Sequence, residues 1–484
     1  MRAIQIFCQV MLLAACTNPG GLVTRELQPT SAPTRMAEPS ALPTPTAIPV
    51  SSTLLARWNL AENRHEILPV DPTSGDPSPG FTPIALGNNK QYAPLTTLSA
   101  DSSWLSAVES RGPICDSYAG GSRCYAGADV LHLVELSTWR ERTIELPGGG
   151  WIWPMAFNTD NSRLGLAYNQ KDTSTLLLIE TSSGIVLAHQ NLMFVPKLMA
   201  FTKDGAALAL YGVPEGVVPG ASRPGAPVAL SLEATSLEIL WEQSLEEVIS
   251  GFWCMENCET SHEQRLYAEW SPAVAFSPDG MALYIVHADV ERLTTVDFTA
   301  EKVSSLAIQD PNTWLERLIA LNAGVAHAKG GSNGATKEAV ISPDGRQLYL
   351  IGRAMTSLPG KEKSWHIEEE LGLQVIGVES GQIVTNQASR AERIRITPDG
   401  TYLLLEGWGP EERWTEVLER ASLKRVARLV DWEVSVSRGL DRQLLALASR
   451  PGQSLSRLAV LDTESFKVER SWTLETYAAW VGNY

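Results

Sequence analysis

The sequence has no excess of basic residues and no basic stretch with interleaved aromatic side chains. It contains 39 Lys and Arg against 55 Asp and Glu, for a formal net charge of −16. Because recognition of a phosphate backbone needs clustered Lys and Arg, we expect no nucleic-acid partner. The acidic excess is most simply a feature that favours solubility and a monomeric state.

Long apolar runs and phosphate-binding motifs are also lacking. No stretch of about 18 apolar residues occurs, so we predict no transmembrane helix. There is no Gly-x-x-x-x-Gly-Lys-Ser/Thr string, and no Gly-x-Gly-x-x-Gly string in a βαβ setting. The string Gly-Gly-Ser-Asn-Gly at 330–334 matches the Gly-x-Ser-x-Gly pattern of serine hydrolases. That motif needs a strand before it and a helix after it, and a flexible loop is the favoured interpretation.

Cysteine is scarce, with six residues in the chain. Two of them fall near the N-terminus, and the other four form the close pairs Cys115/Cys124 and Cys254/Cys258. In an exported protein such local pairs predict two disulfides that join loops. The alternative for Cys254, Cys258 and His262, spaced four apart, is a zinc site on a helix, but no fourth ligand is evident. We therefore expect no metal and no cofactor.

The first residues have the pattern of a processing signal. Ile4 to Ala15 is mostly apolar and too short to span a bilayer as an ordinary helix. The string Leu13-Ala14-Ala15-Cys16 resembles the bacterial lipobox, which implies that Cys16 is lipidated and becomes the new N-terminus. We predict a lipoprotein signal peptide over 1–15; an ordinary signal peptide with an incidental cysteine is the alternative.

Residues 16–52 are rich in Pro, Thr, Ser and Ala, as in Gln28-Pro29-Thr30-Ser31-Ala32-Pro33. Repeated proline removes backbone donors and favours extended conformations, and such a segment buries too little apolar surface to fold. The composition predicts a disordered tether. The protein is then expected to be exported and lipid-anchored to the outer face of the cell membrane, with no other membrane contact.

A short phrase recurs through the rest of the chain. Its strong copies are Ala-Phe-Ser-Pro-Asp-Gly (275–280), Val-Ile-Ser-Pro-Asp-Gly (340–345) and Arg-Ile-Thr-Pro-Asp-Gly (395–400), and its weaker copies lie at 200–205, 156–161 and 97–102. Apolar residues alternate before the Asp-Gly and resume after it, which is the pattern of two strands joined by a tight turn. Asp bonds locally and Gly accepts a positive φ. We predict a structural role in turns for Asp204, Gly205, Asp279, Gly280, Asp344, Gly345, Asp399 and Gly400.

Third and fourth strands follow in most units, such as 176–181 and 185–189. Four antiparallel strands per unit, repeated, predict an all-β propeller. The pattern resembles bacterial WD40-like and YVTN-type β-propellers over about 53–484. Units fall near 96–146, 151–195, 198–245, 271–310, 337–387, 392–430 and 433–472. Residues 53–86 supply strands without an inner one, and 477–484 supplies a lone strand. Pairing these ends would close a ring of eight blades; seven is the alternative.

The long inserts are predicted to crowd one face of the propeller. Residues 110–128, 212–226 and 354–370 fall between the second and third strands of their units, and 246–270 and 311–336 fall between units. In an alternating blade both kinds of connection emerge on the same side, where binding usually resides. The candidate ligand residues ringing the central opening there are Trp153, Lys197, Trp270, His287, Arg353 and Trp408. The alternative is that the tryptophans pack between blades.

These features favour a non-catalytic binding or scaffold protein that takes a protein, peptide or glycan on the insert-bearing face. No catalytic constellation is predicted. The alternative is a lactonase-like propeller hydrolase with a cation in the axial channel, since some YVTN-type propellers are similar to such enzymes in fold.

Overall fold

The computed structural model describes residues 53–71, 74, 76–88, 94–118, 121–170, 173–214, 226–256, 266–309, 334–357, 365–397, 399–408, 412–436, 444–448, 456–462, 465–474 and 478–480. The chain divides into two units, Met1–Thr44 and Pro45–Tyr484, and every described residue belongs to the second. The predicted signal peptide and tether lie outside the described residues. Within those residues all regular structure is strand, and no helix is long and apolar enough to cross a membrane.

The strands follow the chain in blocks of four. The first three strands are β1 (Thr53–Asn59), β2 (Arg64–Val70) and β3 (Ile84–Ala85). Blade 1 contains β4 (Thr96–Leu98), β5 (Trp104–Glu109), β8 (Val130–Glu135) and β9 (Arg140–Glu145), and carries the inserted hairpin β6 (Pro113–Tyr118) and β7 (Gly121–Ala126). Blade 2 contains β10 (Trp151–Phe157), β11 (Arg163–Gln170), β12 (Thr173–Glu180) and β13 (Val186–Leu192). Blade 3 contains β14 (Val195–Phe201), β15 (Ala207–Val213), β16 (Val228–Glu233) and β17 (Ile239–Ser244).

The second half of the chain repeats this plan after one more hairpin, β18 (Gly251–Glu256) and β19 (Leu266–Ser271). Blade 4 contains β20 (Ala273–Phe276), β21 (Ala282–Val286), β22 (Arg292–Asp297) and β23 (Lys302–Ala307). Blade 5 contains β24 (Gly334–Ile341), β25 (Gln347–Ser357), β26 (Trp365–Gly377) and β27 (Ile383–Gln387). Blade 6 contains β28 (Arg393–Ile396), β29 (Tyr402–Trp408), β30 (Arg413–Glu419) and β31 (Arg425–Val430). Blade 7 contains β32 (Glu433–Val436), β33 (Leu444–Ala448), β34 (Ser456–Leu461) and β35 (Val468–Leu474), and the last strand is β36 (Ala478–Trp480).

The ring closes through its two ends. Strand β36 pairs antiparallel with β1, with Ala478 opposite Arg57 and Trp480 opposite Leu55. The resulting sheet has the order β3-β2-β1-β36, so the C-terminal strand serves as the first strand of blade 8. This arrangement confirms an eight-bladed propeller and excludes the seven-bladed alternative. It also leaves no blade with an incomplete set of strands.

The hydrophobic core lies between blades. Eight clusters of buried residues each draw on two neighbouring blades and together run all the way around the ring. Strand β15 shows the cause, because successive side chains of a strand point to opposite faces of its sheet. Leu208 and Leu210 pack against blade 2, whereas Ala209 and Tyr211 pack against blade 4. Both faces of each sheet are therefore buried, as expected for strands with nearly continuous apolar sequence.

The four strands of a blade, named A to D in sheet order, run from the centre outward. The A strands of neighbouring blades lie beside one another, as β10 beside β14 and β20 beside β24. The D strands expose most of their side chains, as in β9 and β35. The A–B and C–D connections then emerge on one side, here called the turn face. The B–C and D–A connections emerge on the other side, here called the loop face.

Candidate ligand-binding face

The turn face carries the repeated Asp-Gly phrase, held by the same hydrogen bonds in successive blades. The Ser277 hydroxyl donates to Asp279 Oδ1 at 2.5 Å, and the amide of Met281 donates to the same oxygen at 3.0 Å. The amide of Ala282 donates to Ser277 Oγ at 2.8 Å. The pattern is repeated around Asp101, Asp204, Asp344 and Asp399.

The hydrogen bonds of these turns explain why aspartate recurs in the phrase, without a catalytic role for it. The hydrogen bond from Ser277, followed by that from the Met281 amide, lowers the pKa of Asp279. Gly205, Gly280, Gly345 and Gly400 all have φ near +70°. In the weaker copies Ser102 and Asn161 adopt the same left-handed conformation, with φ of 58° and 59°. The motif therefore ends one strand and starts the next.

The loop face carries the elaborations that the structure describes. Hairpin β6–β7 leaves between the B and C strands of blade 1, and its base is closed by a hydrogen bond from the amide of Gly127 to the carbonyl of Gly112 at 3.0 Å. Hairpin β18–β19 leaves between blades 3 and 4. The other predicted inserts lie largely in 215–225, 310–333 and 358–364, outside the described residues.

Hairpin β18–β19 joins the inner edge of blade 5. Strand β19 pairs in parallel with the start of β24, through Glu269 with Gly334, Trp270 with Ala335 and Ser271 with Thr336. Blade 5 thereby becomes a six-stranded sheet, whereas the other blades have four strands each. A Cβ atom at Gly334 would lie 2.4 Å from the carbonyl oxygen of Glu269, so this close approach needs glycine. The hairpin therefore sits on the axial side of the ring, at its loop face.

Three of the four cysteines predicted to form disulfides lie in the strands of these two hairpins. Cys115 lies directly opposite Cys124 in the antiparallel register of β6 and β7. Cys254 lies in β18, opposite Tyr267. Cys258 and His262 lie outside the described residues, and so does the lipidation candidate Cys16. Both disulfides remain predictions.

Trp153 and Lys197 come together across blades 2 and 3. The Trp153 indole N–H donates to the backbone carbonyl of Lys197 at 3.2 Å. Both residues lie on A strands where the register with the B strand shifts, between Ile152 and Met155 and between Pro196 and Leu198. Trp153 is 37% exposed, and Lys197 is exposed as well. Both exposed side chains therefore lie where the A–B ladder is interrupted.

Trp270 and Arg353 lie on opposite sides of β24. Trp270 is half-buried opposite Ala335, and Arg353 pairs in register with Thr336 on the other edge of the same strand. The Arg353 guanidinium forms an ion pair with Glu392 of the next blade at 3.1 Å. This pair ties the end of strand B in blade 5 to the entry of blade 6.

His287 is placed differently from the expectation that it faces a ligand. Its side chain is completely buried, and Nε2 forms a hydrogen bond with the Thr294 hydroxyl at 2.7 Å. Burial lowers the pKa of His287, and the Asp289 carboxylate acts in the opposite direction. The side chain of Lys337, from the A strand of blade 5, donates to the carbonyl of His287 at 2.5 Å. The sequence alone does not reveal that Lys337, which is 50 residues away on strand β24, covers His287.

Lys337 is a half-buried cation that sequence reasoning missed. Burial lowers its pKa to about 8, and the carboxylates of Glu291 and Asp289 partly oppose that shift. Next to it, Glu338 accepts a hydrogen bond from the amide of Ile394 at 3.1 Å, and burial raises its pKa. A Lys-Glu pair in an otherwise apolar A strand is the signal that could have marked this position.

Trp408 ends the B strand of blade 6 and is 38% exposed. Arg413 lies directly opposite in the register, with its guanidinium carbon 5.3 Å from the Trp408 ring centroid. Arg413 Nη2 also lies 3.0 Å from a carboxylate oxygen of Glu433, the first residue of blade 7. Arg413 and Glu433 were not predicted as site residues, because these two side chains meet only when blades 6 and 7 pack together.

Exposed apolar side chains show the same asymmetry between faces. Apart from residues on or just before D strands, the large apolar residues exposed within the described part of the chain are Leu60 (58%), Trp153 (37%), Met193 (97%), Val290 (44%) and Trp408 (38%). All five lie on B–C or D–A connections or at the strand ends beside them, which is the loop face. These residues are distributed around the ring, in blades 2, 4, 6 and 8 and between blades 2 and 3.

The Gly-Gly-Ser-Asn-Gly string at 330–334 is followed by a strand. Residues from Gly334 onward form strand β24, whereas a Gly-x-Ser-x-Gly nucleophile elbow needs a helix after it. Among the described residues, no three His, Cys, Asp or Glu side chains are grouped so as to hold a metal ion.

Comparisons with known proteins support the fold alone. No protein-family model matches the chain, and no curated protein matches it. The dihydro-heme d1 dehydrogenase NirN is similar over 91% of this chain and 78% of its own, with 11% sequence identity and a TM-score of 0.53. The Cps50 (Swd1) β-propeller domain of Myceliophteria thermophila covers 80% of this chain and 97% of its own at 11% identity, with a TM-score of 0.38. A putative 6-phosphogluconolactonase from Bacteroides uniformis covers 78% and 94% at 12% identity, with a TM-score of 0.39. At such identities, structural likeness concerns the fold and leaves activity open.

Proposed function

We propose that this chain is an exported, lipid-anchored β-propeller that binds a partner molecule through its loop face, without catalysis. The observation that carries the proposal is the asymmetry of the described surface. The turn face is made of short, internally satisfied Asp turns, whereas the loop face carries both extra hairpins and the exposed Trp153, Met193 and Trp408. Tryptophan is enriched among the residues that dominate binding energy.

The hairpin β18–β19 contributes to the same surface. It is attached to blade 5 through three residue pairs, and β18 is the terminal strand of the six-stranded sheet. An edge strand at the mouth of the ring offers backbone donors and acceptors in addition to the exposed side chains. The blades thus hold the edge strand and the exposed side chains of the loop face in position.

Anchoring would place this surface outside the cell. A lipid at Cys16 followed by an extended, proline-rich tether of 16–52 would hold the propeller away from the membrane while letting it turn toward a partner. Labelling with an alkyne fatty acid tests the anchor directly. Wild-type protein should be labelled and sediment with membranes, and Cys16→Ser should abolish both.

Site-specific photocrosslinking tests the binding face. A photoreactive amino acid is placed at loop-face positions Met193 and Val290, and at the turn-face positions Ala206 and Thr401 as matched exposed controls. We expect crosslinked species in intact cells only from the first pair. Equal crosslinking from both faces, or none from the loop face, would contradict the proposal.

The hydrolase alternative is tested with the same protein. Purified wild-type chain is assayed with lactone and ester substrates, with and without added divalent cations. Turnover abolished by a single Asp, Glu or His substitution on the channel side would replace the binding proposal with the enzymatic one.

A further inference from the structure

Trp408 is the last residue of strand β29. Arg413 stands opposite it and its guanidinium carbon lies 5.3 Å from the centroid of the indole ring. The preceding residue, Gly407, packs against Trp414 so closely that a Cβ atom there would lie 2.2 Å from the indole ring. The backbone at Trp408 is therefore held against a buried side chain, while 38% of Trp408 itself stays exposed. An aromatic ring held in this way needs little ordering when a ligand packs on it.

Arg413 and Glu433 form a supported polar pair beside that ring. Their charged atoms lie 3.0 Å apart, and their side chains are 24% and 23% exposed. The two residues before Glu433 are hydrogen-bonded to blade 6. The amide of Asp431 donates to the carbonyl of Arg413 at 2.6 Å, and the Thr415 hydroxyl donates to the carbonyl of Trp432 at 2.7 Å. The pair thus has a position set by two blades.

The described residues near Trp408 include further ion pairs. Arg428 pairs with Glu412 at 2.7 Å, and Arg353 pairs with Glu392 at 3.1 Å. Paired charges of this kind give little net field to attract a charged ligand. They still provide planar donors and acceptors at fixed positions.

We propose that Trp408, Arg413 and Glu433 bind a neutral saccharide ring. This assignment names the ligand class for the loop face and so rests on the proposed function. A pyranose presents an apolar C–H face that packs on an aromatic ring, and hydroxyls around its edge that both donate and accept. The guanidinium donates to those hydroxyls and the carboxylate accepts from them, which matches both requirements. Arg413 and Glu433 already neutralise one another, so the pair offers no net charge to a charged peptide.

The test uses the full chain, solubilised in detergent and labelled with 5-fluorotryptophan. The fluorine resonance of Trp408 is identified by its loss in Trp408→Phe, and that of Trp153 by its loss in Trp153→Phe. The probes are cellohexaose, maltohexaose and chitohexaose, with one acidic and one basic hexapeptide for comparison. We expect at least one oligosaccharide to shift the Trp408 resonance in a saturable way and to leave the Trp153 resonance in place.

Variants show whether the cluster is responsible. Trp408→Ala should weaken oligosaccharide binding by about 10-fold or more, as expected for loss of an aromatic anchor. Arg413→Lys should also weaken it, because an ammonium group lacks the planar fork of a guanidinium. Trp139→Phe, in the C–D turn of blade 1 on the turn face, is the matched control and should bind as the wild type does. Thermal melting confirms that each variant is folded.

Three results would overturn the assignment. These are no shift with any of the three oligosaccharides at millimolar concentration, unchanged affinity in Trp408→Ala, or a shift produced only by a peptide. The photocrosslinks at Met193 and Val290 separate the two levels of the argument. If they persist while the saccharide test fails, the loop face binds a partner of another class and only the saccharide assignment is lost.

Discussion

The side chain of Lys337 donates a hydrogen bond to the backbone carbonyl of His287 at 2.5 Å, joining the inner strand of blade 5 to the B–C connection of blade 4. His287 in turn bonds to Thr294, and Thr294 to Ser305 at 2.8 Å, so the contact continues outward to strands β22 and β23 of blade 4. A polar link therefore lies beside the apolar cluster that blades 4 and 5 share. Such a link specifies how two blades meet more strictly than apolar packing does.

Substituting Lys337 by Met should remove a pH dependence of stability. The folded-state pKa of Lys337 is about 8 against an ordinary value of 10.5. Between these values the unfolded chain holds a proton that the folded chain has released, so wild-type stability should rise with pH, by at most about 3 kcal/mol. Below about pH 8 the penalty of burying the charge is fully present. Urea unfolding at pH 7, 8.5 and 10 measures this pH dependence of stability.

The comparison for Lys337→Met is the difference between wild type and variant at each pH. That difference should shift in favour of the wild type as the pH rises. Lys302→Met, at an exposed position on strand β23, is the matched control and should track the wild type throughout. A difference that stays constant with pH would show that Lys337 keeps an ordinary pKa.

Gly280→Ala should cost more stability than Gly205→Ala. Both glycines have φ of +70°, so the left-handed strain on alanine is the same, about 1 kcal/mol. A Cβ atom at Gly280 would also lie 2.3 Å from the carbonyl oxygen of Phe201 in blade 3, whereas nothing lies within 4 Å of one at Gly205. The difference between the unfolding free energies of the two variants measures the effect of the inter-blade contact. Equal losses of stability would contradict the prediction.

Asp279→Ala should lower stability by about 1 kcal/mol at neutral pH, because the turn loses an acceptor for Ser277 and the Met281 amide. The pKa of Asp279 is lowered below 3.8, so its contribution is complete well above that value and disappears as the pH falls through the folded-state pKa. Urea unfolding between pH 7 and pH 3 should show the gap between wild type and variant narrowing. Asp279→Asn, which keeps an acceptor without charge, should lie between the two at neutral pH.

Ala478→Asp should break the closure of the ring. Ala478 is completely buried among Leu55, Leu447 and Leu458, at the junction of blades 7 and 8. An unpaired carboxylate there should cost more than about 3 kcal/mol, since a buried charge without a partner is among the most destabilising changes. Differential scanning calorimetry measures the drop in Tm. Ser471→Asp, exposed on strand β35, should leave Tm within a degree or two of the wild type.

Gly334→Ala should loosen hairpin β18–β19 from blade 5 without unfolding the propeller. The added methyl group would meet the Glu269 carbonyl oxygen at 2.4 Å, in a pairing of three residues on each strand. Amide hydrogen exchange should quicken at 269–271, while protection at 348–351 in the buried B strand of the same blade stays unchanged. Unaltered exchange at 269–271 would show that the hairpin is held by other contacts.

Much of the architecture could be predicted because each blade begins from a local signal. In the Asp279 turn the donors and acceptors lie within five residues of one another, so the phrase forms the same turn wherever it occurs. The pairing of β1 with β36 followed from counting strands, since 53–86 lacks an inner strand and 477–484 lacks a blade. The positions of Trp153 and Trp408 near the loop face followed from the alternation of strand direction.

The rest depended on contacts between residues far apart in the chain. The parallel pairing of Trp270 with Ala335 could not be predicted, because neither strand has a local sequence pattern that indicates its partner. His287 looked like a surface residue at the end of a strand, and only the approach of Lys337 covers it. Arg413 and Glu433 are 20 residues apart and meet only across an interface between blades.

The sequence by itself determined the propeller and its four-stranded blades, with a count of eight and seven as the alternative, because these follow from turns and alternation within about ten residues. The tertiary structure alone decided which strand the second hairpin joins, which charged groups are buried, and which polar residues flank the exposed Trp408. Those outcomes depend on how blades approach each other in space, and that approach is set by packing between surfaces that the linear order of residues keeps apart.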